Sequence, residues 1–322
     1  MSFDVLIIGL GQIGMGYDLH HNDATSQTYT HARAFSQHPD FSLIAAVDTD
    51  KNLREIFKQK YNGLTYGKVD EALKSNNPDL VVIAVPTQYH YEILRQVLET
   101  SSPRVVLCEK PLSYSLDEAN SMVELCAKNN VNLFVNYMRR SDPAVIEIKR
   151  RLDSGEIATP IKGTCWYSKG FQHNGSHFFN LLEFWLGKFI SFEILEVGRL
   201  WDNKDPEPDL HLVFNQGTVV MLAAWEEKFS HYGIELLAKN GRLRYEQGGK
   251  SVYWQELLGD KNFDGYTTLN NEITTLDSGM ERYQWQVAEQ LAFSLSDKSY
   301  QLCSGTEALE TLKNIHNIID KR

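Results

Sequence analysis

Residues 5–14 read Val-Leu-Ile-Ile-Gly-Leu-Gly-Gln-Ile-Gly, a short apolar strand running straight into Gly9-x-Gly11-x-x-Gly14. In a strand–turn–helix unit built to hold a dinucleotide, the first glycine permits the tight turn and the second lets the backbone approach a pyrophosphate. The third lets the helix pack closely on the strand, and phosphate oxygens then meet free N–H groups at the helix N-terminus. Gly9, Gly11 and Gly14, with Gln12 and Ile13 between them, are the expected phosphate grip. The partner feature is an acidic residue ending the next strand, where it hydrogen-bonds ribose hydroxyls. Phe41-Ser-Leu-Ile-Ala-Ala-Val47 followed by Asp48 supplies it. Asp48 lies 34 residues beyond Gly14 (48 − 14), where about 20 is usual. The polar stretch Tyr17–Tyr29 has no helical stripe and explains the excess as an inserted loop, with the helix formed or resumed around Thr30–Gln37. Both an active-site role and a solvated surface excursion stay open for such a loop.

Strand and helix alternate along the first 138 residues: a helix at Asn52–Lys60, an apolar strand at Asp79–Val85, a helix at Tyr89–Glu99, a strand at Arg104–Cys108, a helix at Leu116–Lys128 and a strand at Val131–Val135. Alternation of this kind implies α/β class, a doubly wound parallel sheet of the Rossmann type with right-handed crossovers. From residue 139 to 322 the pattern changes. A helix at Pro143–Leu152, a strand at Ile161–Tyr167 and an aromatic helix at His177–Leu186 precede six strand-like runs between Ile190 and Gln255. Turns at Asn215-Gln-Gly217 and Lys239-Asn-Gly241 separate some of those runs, which reads as a mostly antiparallel second domain. Helices near Met280–Leu295 and Thr306–Ile319 close the chain and are free to pack back on the first domain.

A net charge of −10 argues against a nucleic-acid partner, since no basic face offsets the acidic total. No run approaches the roughly 18 apolar residues of a membrane span. The first strand begins at once, with Asp4 in the way of a signal peptide. The four cysteines show no metal or redox spacing, so the expectation is a cytoplasmic chain with reduced thiols and no metal.

Glu109-Lys110-Pro111 follows the Arg104–Cys108 strand. Ligands of open α/β sheets lie outside the carboxyl ends of the strands, so Lys110 is expected in the cofactor crevice. A partly desolvated lysine can exchange a proton with a substrate hydroxyl; the alternative is a surface lysine in the turn before the N-cap Ser115.

The glycine motif, Pro86-Thr87 with His90, Glu109-Lys110-Pro111, and Gly175-Ser-His177 leading into Leu181–Gly187 occur in that order. Together they resemble the glucose–fructose oxidoreductase / inositol dehydrogenase family, often called Gfo/Idh/MocA. The resemblance implies a Rossmann domain and a C-terminal α/β domain with a large open sheet. It implies hydride transfer between a sugar or cyclitol hydroxyl and nicotinamide, with Lys110 as the catalytic lysine and Lys110–Pro111 a cis peptide. Pro86, Thr87, His90, Glu109 and Lys110 then belong to the cofactor side, with His90 equally placed for helix capping. Family members associate through the open sheet, so a homodimer or homotetramer is expected.

The family's Asp-x-x-x-His reads His173-Asn-Gly-Ser-His177 here, and position 180, often aspartate, is Asn180. His177 keeps the family histidine, and His173 stands where its carboxylate partner would be. The candidate catalytic residues are Lys110, His177 and His173. The two histidines have no third metal ligand at a supporting spacing, and His20-His21 reads as a solvated loop pair. Asn136, Arg139, Arg140, Trp166 and Lys169 join the histidines as candidate substrate contacts. Paired arginines suit a phosphate or carboxylate, against a salt-bridged hinge. Trp166, Tyr167, Phe171 and Trp185 are sugar-stacking or core residues. The carbohydrate substrate is expected to carry negative charge. The cofactor is expected to be NAD, because Asp48 repels a 2′-phosphate and Thr49, Asp50 and Lys51 follow it with no arginine among them. Two alternatives stand beside this reading: transient oxidation that drives elimination or hydrolysis with NAD recycled, and a non-catalytic NAD-sensing regulator.

Overall fold

In the computed structural model, residues 2–19, 27–224 and 229–322 are described. His20-His21 and Trp225 lie outside them. The chain divides into two units, 1–141 with 281–312, and 142–280 with 313–322. The first unit thus takes one of the two closing helices whole and the first part of the other.

In chain order the elements begin with β1 (Phe3–Ile8), α1 (His31–Gln37), β2 (Phe41–Val47), α2 (Lys51–Tyr61), β3 (Leu64–Tyr66) and α3 (Val69–Ser75). Then come β4 (Leu80–Ile83), α4 (His90–Thr100), β5 (Val105–Cys108), α5 (Leu116–Lys128) and β6 (Asn132–Val135). The second unit carries α6 (Pro143–Asp153), β7 (Ile161–Tyr167), α7 (Ser176–Leu186), β8 (Phe189–Trp201), β9 (Asp205–Phe214) and β10 (Gly217–Ala223). It continues with β11 (Gly233–Ala238), β12 (Gly241–Glu246), β13 (Ser251–Gly259), β14 (Thr267–Leu269) and β15 (Thr274–Leu276). The last elements are α8 (Tyr283–Leu295), β16 (Cys303–Ser304) and α9 (Gly305–Asp320).

β1 is apolar at every residue from Val5 to Ile8 because both of its faces are covered. Leu6 and Ile8 enter one core with Val81 and Val106, whereas Val5 and Ile7 enter another with Val82 and Leu107. The sheet order is β16-β6-β5-β4-β1-β2-β3, parallel throughout except for β16 at the edge. This is the doubly wound Rossmann order, with a chain reversal between β1 and β4 that opens a ligand crevice at their carboxyl ends.

In the second unit the path β14-β13-β12-β11-β7-β10-β9-β8, with β15 on β13, is antiparallel apart from the β7–β10 pair. One core backs this sheet, built from the aromatic face of α7, the inward side chains of β7, β9 and β12, and Ile148 of α6. Among the described residues no helix is long and apolar enough to cross a membrane.

Candidate active site

The glycine turn has the steric signature of a phosphate grip. Gly9 sits at φ 102°, and a Cβ there would press on the Ala84 carbonyl; a Cβ on Gly14 would collide with the Gly9 carbonyl oxygen. Above Gly11 nothing lies within 4 Å, so that face of the backbone is open to a ligand. A cavity of about 720 Å³ follows from it, lined by Gly9, Gly11, Asp48, Thr49, Lys68 and Pro86 among others. These residues fit a dinucleotide: bare backbone where the pyrophosphate lies and a carboxylate where ribose hydroxyls lie.

The helix that should leave the turn is split. Met15 N–H bonds to the Gly11 carbonyl at 2.9 Å, completing one turn, and a 3₁₀ turn follows at Gly16–Asp18. The Ile13 and Gly14 carbonyls, which Tyr17 and Asp18 would reach in a continuous helix, accept instead from His31 N–H at 3.1 Å and Ala32 N–H at 2.9 Å. Fourteen residues (31 − 17) are thus looped out of the helix, which resumes at α1. Without them Asp48 would stand 20 residues after Gly14 (34 − 14), the ordinary spacing.

Asp48 is fixed by backbone. Its Oδ2 accepts from Leu10 N–H at 2.7 Å and its Oδ1 from Asp50 N–H at 2.8 Å. Arg54, one turn into α2, donates to the Asp48 and Thr49 carbonyls at 2.7 and 3.0 Å. Sequence reasoning weighed only the three residues after Asp48; the position of Arg54 in the first turns of α2 was the available signal.

Lys110 follows β5, and its peptide bond to Pro111 is cis. The segment is pinned from behind by His90, which is 1% exposed. The His90 ring faces the Val85 carbonyl with Nε2 at 2.9 Å and the Pro111 and Leu112 carbonyls with Nδ1 at 3.1 and 3.2 Å. Burial pushes its pKa down, against carbonyls and the Glu109 charge that favour the protonated ring. Glu109 accepts on one oxygen from His31 Nε2 at 2.8 Å and Asn136 Nδ2 at 2.7 Å. Burial alone would raise its pKa, yet the His31 bond and charge, the Asn136 amide and the Lys110 ammonium hold the carboxyl below the usual glutamate range. Asn136, a sequence candidate for substrate contact, spends its amide N–H on Glu109. Arg140 is buried and paired with Glu307 at 2.7 Å, the salt-bridged alternative; Arg139 is in the same 3₁₀ turn, Met138–Ser141.

In the second unit, β7 ends at Tyr167 and the chain turns through Lys169 and Gly170 at φ 66° and 77°. It then winds a π-helical segment, Gly170–Gly175, directly into α7. Such wide turns cost regular hydrogen bonds and are frequent at functional sites. Asp205 accepts from the N–H groups of Gln172 and His173 at 2.9 and 2.7 Å, and Glu207 accepts from Gly170 N–H at 3.0 Å and Arg199 Nε at 2.6 Å. Burial raises the Asp205 pKa, those N–H bonds oppose it, and the Glu207 charge adds to the rise. The His173 ring stacks on Trp201 at 5.1 Å and 10°. His177 and Asn180 are buried on the first turns of α7. Tyr167, Phe171 and Trp185 are fully buried core, whereas Trp166 is 38% exposed. Among the described residues no group of three or more His, Cys, Asp or Glu is disposed to hold a metal. Sequence reasoning missed His31, Asp205 and Glu207. Excising the loop would have exposed the first; the Asp-Pro-Glu-Pro-Asp alternation at 205–209 was the only signal for the others.

Splitting the helix leaves the turn itself intact, and with Asp48 at the end of β2 it defines the first unit as a Rossmann nucleotide-binding domain. Residues 3–137 match the profile of the GFO_IDH_MocA family, described as oxidoreductases with an NAD-binding Rossmann fold. Over that span the chain is similar to this family. It is similar to scyllo-inositol 2-dehydrogenase (NAD(+)) of Bacillus subtilis, 31% identical over 174 residues, 52% of this chain and 44% of that protein. It also resembles inositol 2-dehydrogenase of Corynebacterium glutamicum, 31% identical over 156 residues, 48% of this chain and 42% of that one. The match spans less than half the length of these relatives. A solved structure, the WlbA dehydrogenase from Bordetella pertussis with NADH and UDP-GlcNAcA, shares the fold at 15% identity and a TM-score of 0.73, covering 99% of this chain and 96% of that one.

Proposed function

We propose that the chain is an NAD-dependent oxidoreductase that transfers a hydride between nicotinamide and a hydroxyl of a sugar, sugar acid or nucleotide sugar. The observation that carries this reading is Lys110, beside an ionised Glu109, at the carboxyl end of the strand next to β4. When bound, the cofactor supplies the hydride acceptor at C4 of its nicotinamide. In its neutral amine form Lys110 takes the hydroxyl proton, becoming the ammonium, as the carbinol C–H leaves as hydride, and returns it in the reverse direction. His177 is proposed as the second proton-handling group, with His173 beside it on the turn. The inositol dehydrogenases among the relatives and the NADH and UDP-sugar complex of the structural neighbour support a polyhydroxylated substrate. Arg139 and Lys169 support an anionic one.

Asp48 favours NAD(H) over NADP(H) because its carboxylate repels a 2′-phosphate. Buried cysteines at positions 108, 126, 165 and 303 fit a reducing compartment such as the cytoplasm. Exposed Leu195, Val197 and Leu237 on the second unit's sheet support association of copies into a homodimer or homotetramer, which light scattering checks; a monomer at micromolar concentration removes it.

The test is a panel of cyclitols, free sugars, sugar acids and nucleotide sugars, read by NADH release and by NADH and NADPH binding fluorescence. Net NADH release on an acidic sugar, with tighter NADH than NADPH binding, is expected. Product without net NADH favours elimination or hydrolysis with the cofactor recycled. Binding of NADH with no conversion anywhere on the panel favours a sensor.

A further inference from the structure

The polar groups behind Lys110 reach it from a place the glycine motif does not predict. His31 is the first residue of α1 and takes the helical step that Tyr17 would occupy without the looped-out residues. Its ring is 1% exposed, stacks on Phe35 at 6.3 Å and 13°, and directs Nε2 at the Glu109 carboxylate. An ionised carboxylate only accepts hydrogen bonds, so Nε2 carries the proton.

The residues that lead into His31 are held by hydrogen bonds. Asp18 Oδ2 accepts from Tyr29 N–H at 3.0 Å, Thr30 N–H at 2.8 Å and Thr30 Oγ1–H at 2.7 Å. Thr30 in turn caps α1 by accepting from Arg33 N–H. Tyr29 stacks on Tyr283 at 5.4 Å, and the strand-like bonds Thr28 N–H to Glu281 O and Gln284 N–H to Thr28 O fasten the same limb. A surface excursion would need none of this.

We propose that His31 is a positioning residue for Lys110, acting through Glu109, and that the interruption of the first helix is what delivers it. The proposal rests on Lys110 being the proton carrier. Two donors from different elements, His31 on α1 and Asn136 after β6, converge on one oxygen of Glu109 and fix the residue that precedes Lys110. The charged and titratable groups that face Glu109 are His31, Lys110, His90 of α4 and Tyr283 of α8, together with the Cys108 thiol of β5. His31 bonds directly to the carboxylate at 2.8 Å. Removing it leaves a largely buried carboxylate short of a donor, which favours its protonation and withdraws negative charge from beside Lys110.

The test reads Lys110 itself as well as turnover. Acetylation of Lys110 by acetic anhydride, followed by mass spectrometry between about pH 7 and 11, gives its titration midpoint in the folded protein without any substrate. Glu109→Gln and His31→Ala should each lower that midpoint by about one pH unit. His31→Gln, whose amide N–H₂ reaches the same point, should stay near the wild type. On the best substrate of the panel, the limiting kcat of His31→Ala above both midpoints should fall about tenfold or more, because the amine is less well placed and less basic, while KM and NADH affinity stay within about twofold. His31→Gln should recover most of that loss. Equal behaviour of the Ala and Gln variants, or an unmoved midpoint in Glu109→Gln, overturns the proposal. If His31→Ala does not fold, the Glu109→Gln and His31→Gln pair decides by the same midpoints. Midpoints that move as stated in a protein that turns over nothing overturn the reaction and support the His31–Glu109–Lys110 pairing.

Discussion

In the first unit the Glu109 carboxylate is engaged by side chains, His31 and Asn136, and stands one residue from Lys110. In the second, Asp205 and Glu207 hold the backbone N–H groups of the turn that carries His173, with Arg199 as a side-chain donor on Glu207. The same functional group serves two ends. A carboxylate bonded to side chains places a charge beside the proposed proton carrier; a carboxylate bonded to backbone fixes the shape of a loop that regular helix hydrogen bonds cannot hold. The comparison also bears on position 173, where the family motif has an acid and this chain a histidine. The nearby Asp205 oxygens are turned to the peptide N–H groups, so an acid close in space takes up a different task from the one the motif assigns.

The sharpest way to break the comparison is Lys110→Ala. If the first unit's pair serves chemistry, kcat should fall by about 10²–10⁴-fold, with NADH affinity nearly unchanged in a fluorescence titration. A kcat near the wild-type value would reduce Glu109 and its partners to another structural brace. Next in size is Glu207→Gln. It leaves the Gly170 N–H or the Arg199 guanidinium without its acceptor in a site where Glu207 is 1% exposed, and should cost about 2 kcal/mol in urea unfolding. NADH affinity should not change, because the first unit carries the glycine turn.

The smallest effect is a difference in the sign of pH dependence. The Glu109 pKa is lowered on folding, so its contribution is present above the ordinary glutamate value of 4.5 and is lost as pH falls through the folded value. The Asp205 pKa is raised, so its contribution is fullest in acid and is lost as pH rises from the ordinary 3.8 through the folded value. Urea midpoints between about pH 3 and 6 should therefore steepen with acid in Asp205→Asn and flatten in Glu109→Gln, relative to the wild type. Slope changes of the same sign, relative to the wild type, in both variants would mean that the two carboxylates do not differ in the way their hydrogen bonds imply.

The parallel sheet was legible because continuous apolar runs such as Leu80–Ile83 admit few other readings, and Leu116–Lys128 because Ser115 caps its start. β3 and α3 escaped notice: three residues beginning with an exposed Leu64 carry no period, and Val69–Ser75 has only two turns to show one. Glycines and Asp48 announce a nucleotide site by local chemistry alone. The groups behind the candidate catalytic residues do not, since His31 meets Glu109 across 78 positions of sequence and Asp205 meets His173 across 32. The π-helical segment has no residue signature beyond Gly170 and Gly175, and the sequence reading ran α7 from His177 only, one residue short of its start at Ser176.

Looping residues out of the first helix also changes how the nucleotide-gripping turn comes together as the chain folds. In an uninterrupted helix the Ile13 carbonyl finds its donor four residues away, within a nucleating turn. Here the donor is 18 residues away (31 − 13), so closure costs about 1 kcal/mol more in chain entropy and turns a local contact into a distant one. Contacts of that kind slow folding, and a joint at the start of a seven-residue helix opens more readily than a strand paired on both sides. Amide exchange at His31 and Ala32 should accordingly run faster than at the β1 amides, making the joint between Ile13 and His31 the place where this domain loses its grip on phosphate before it loses its sheet.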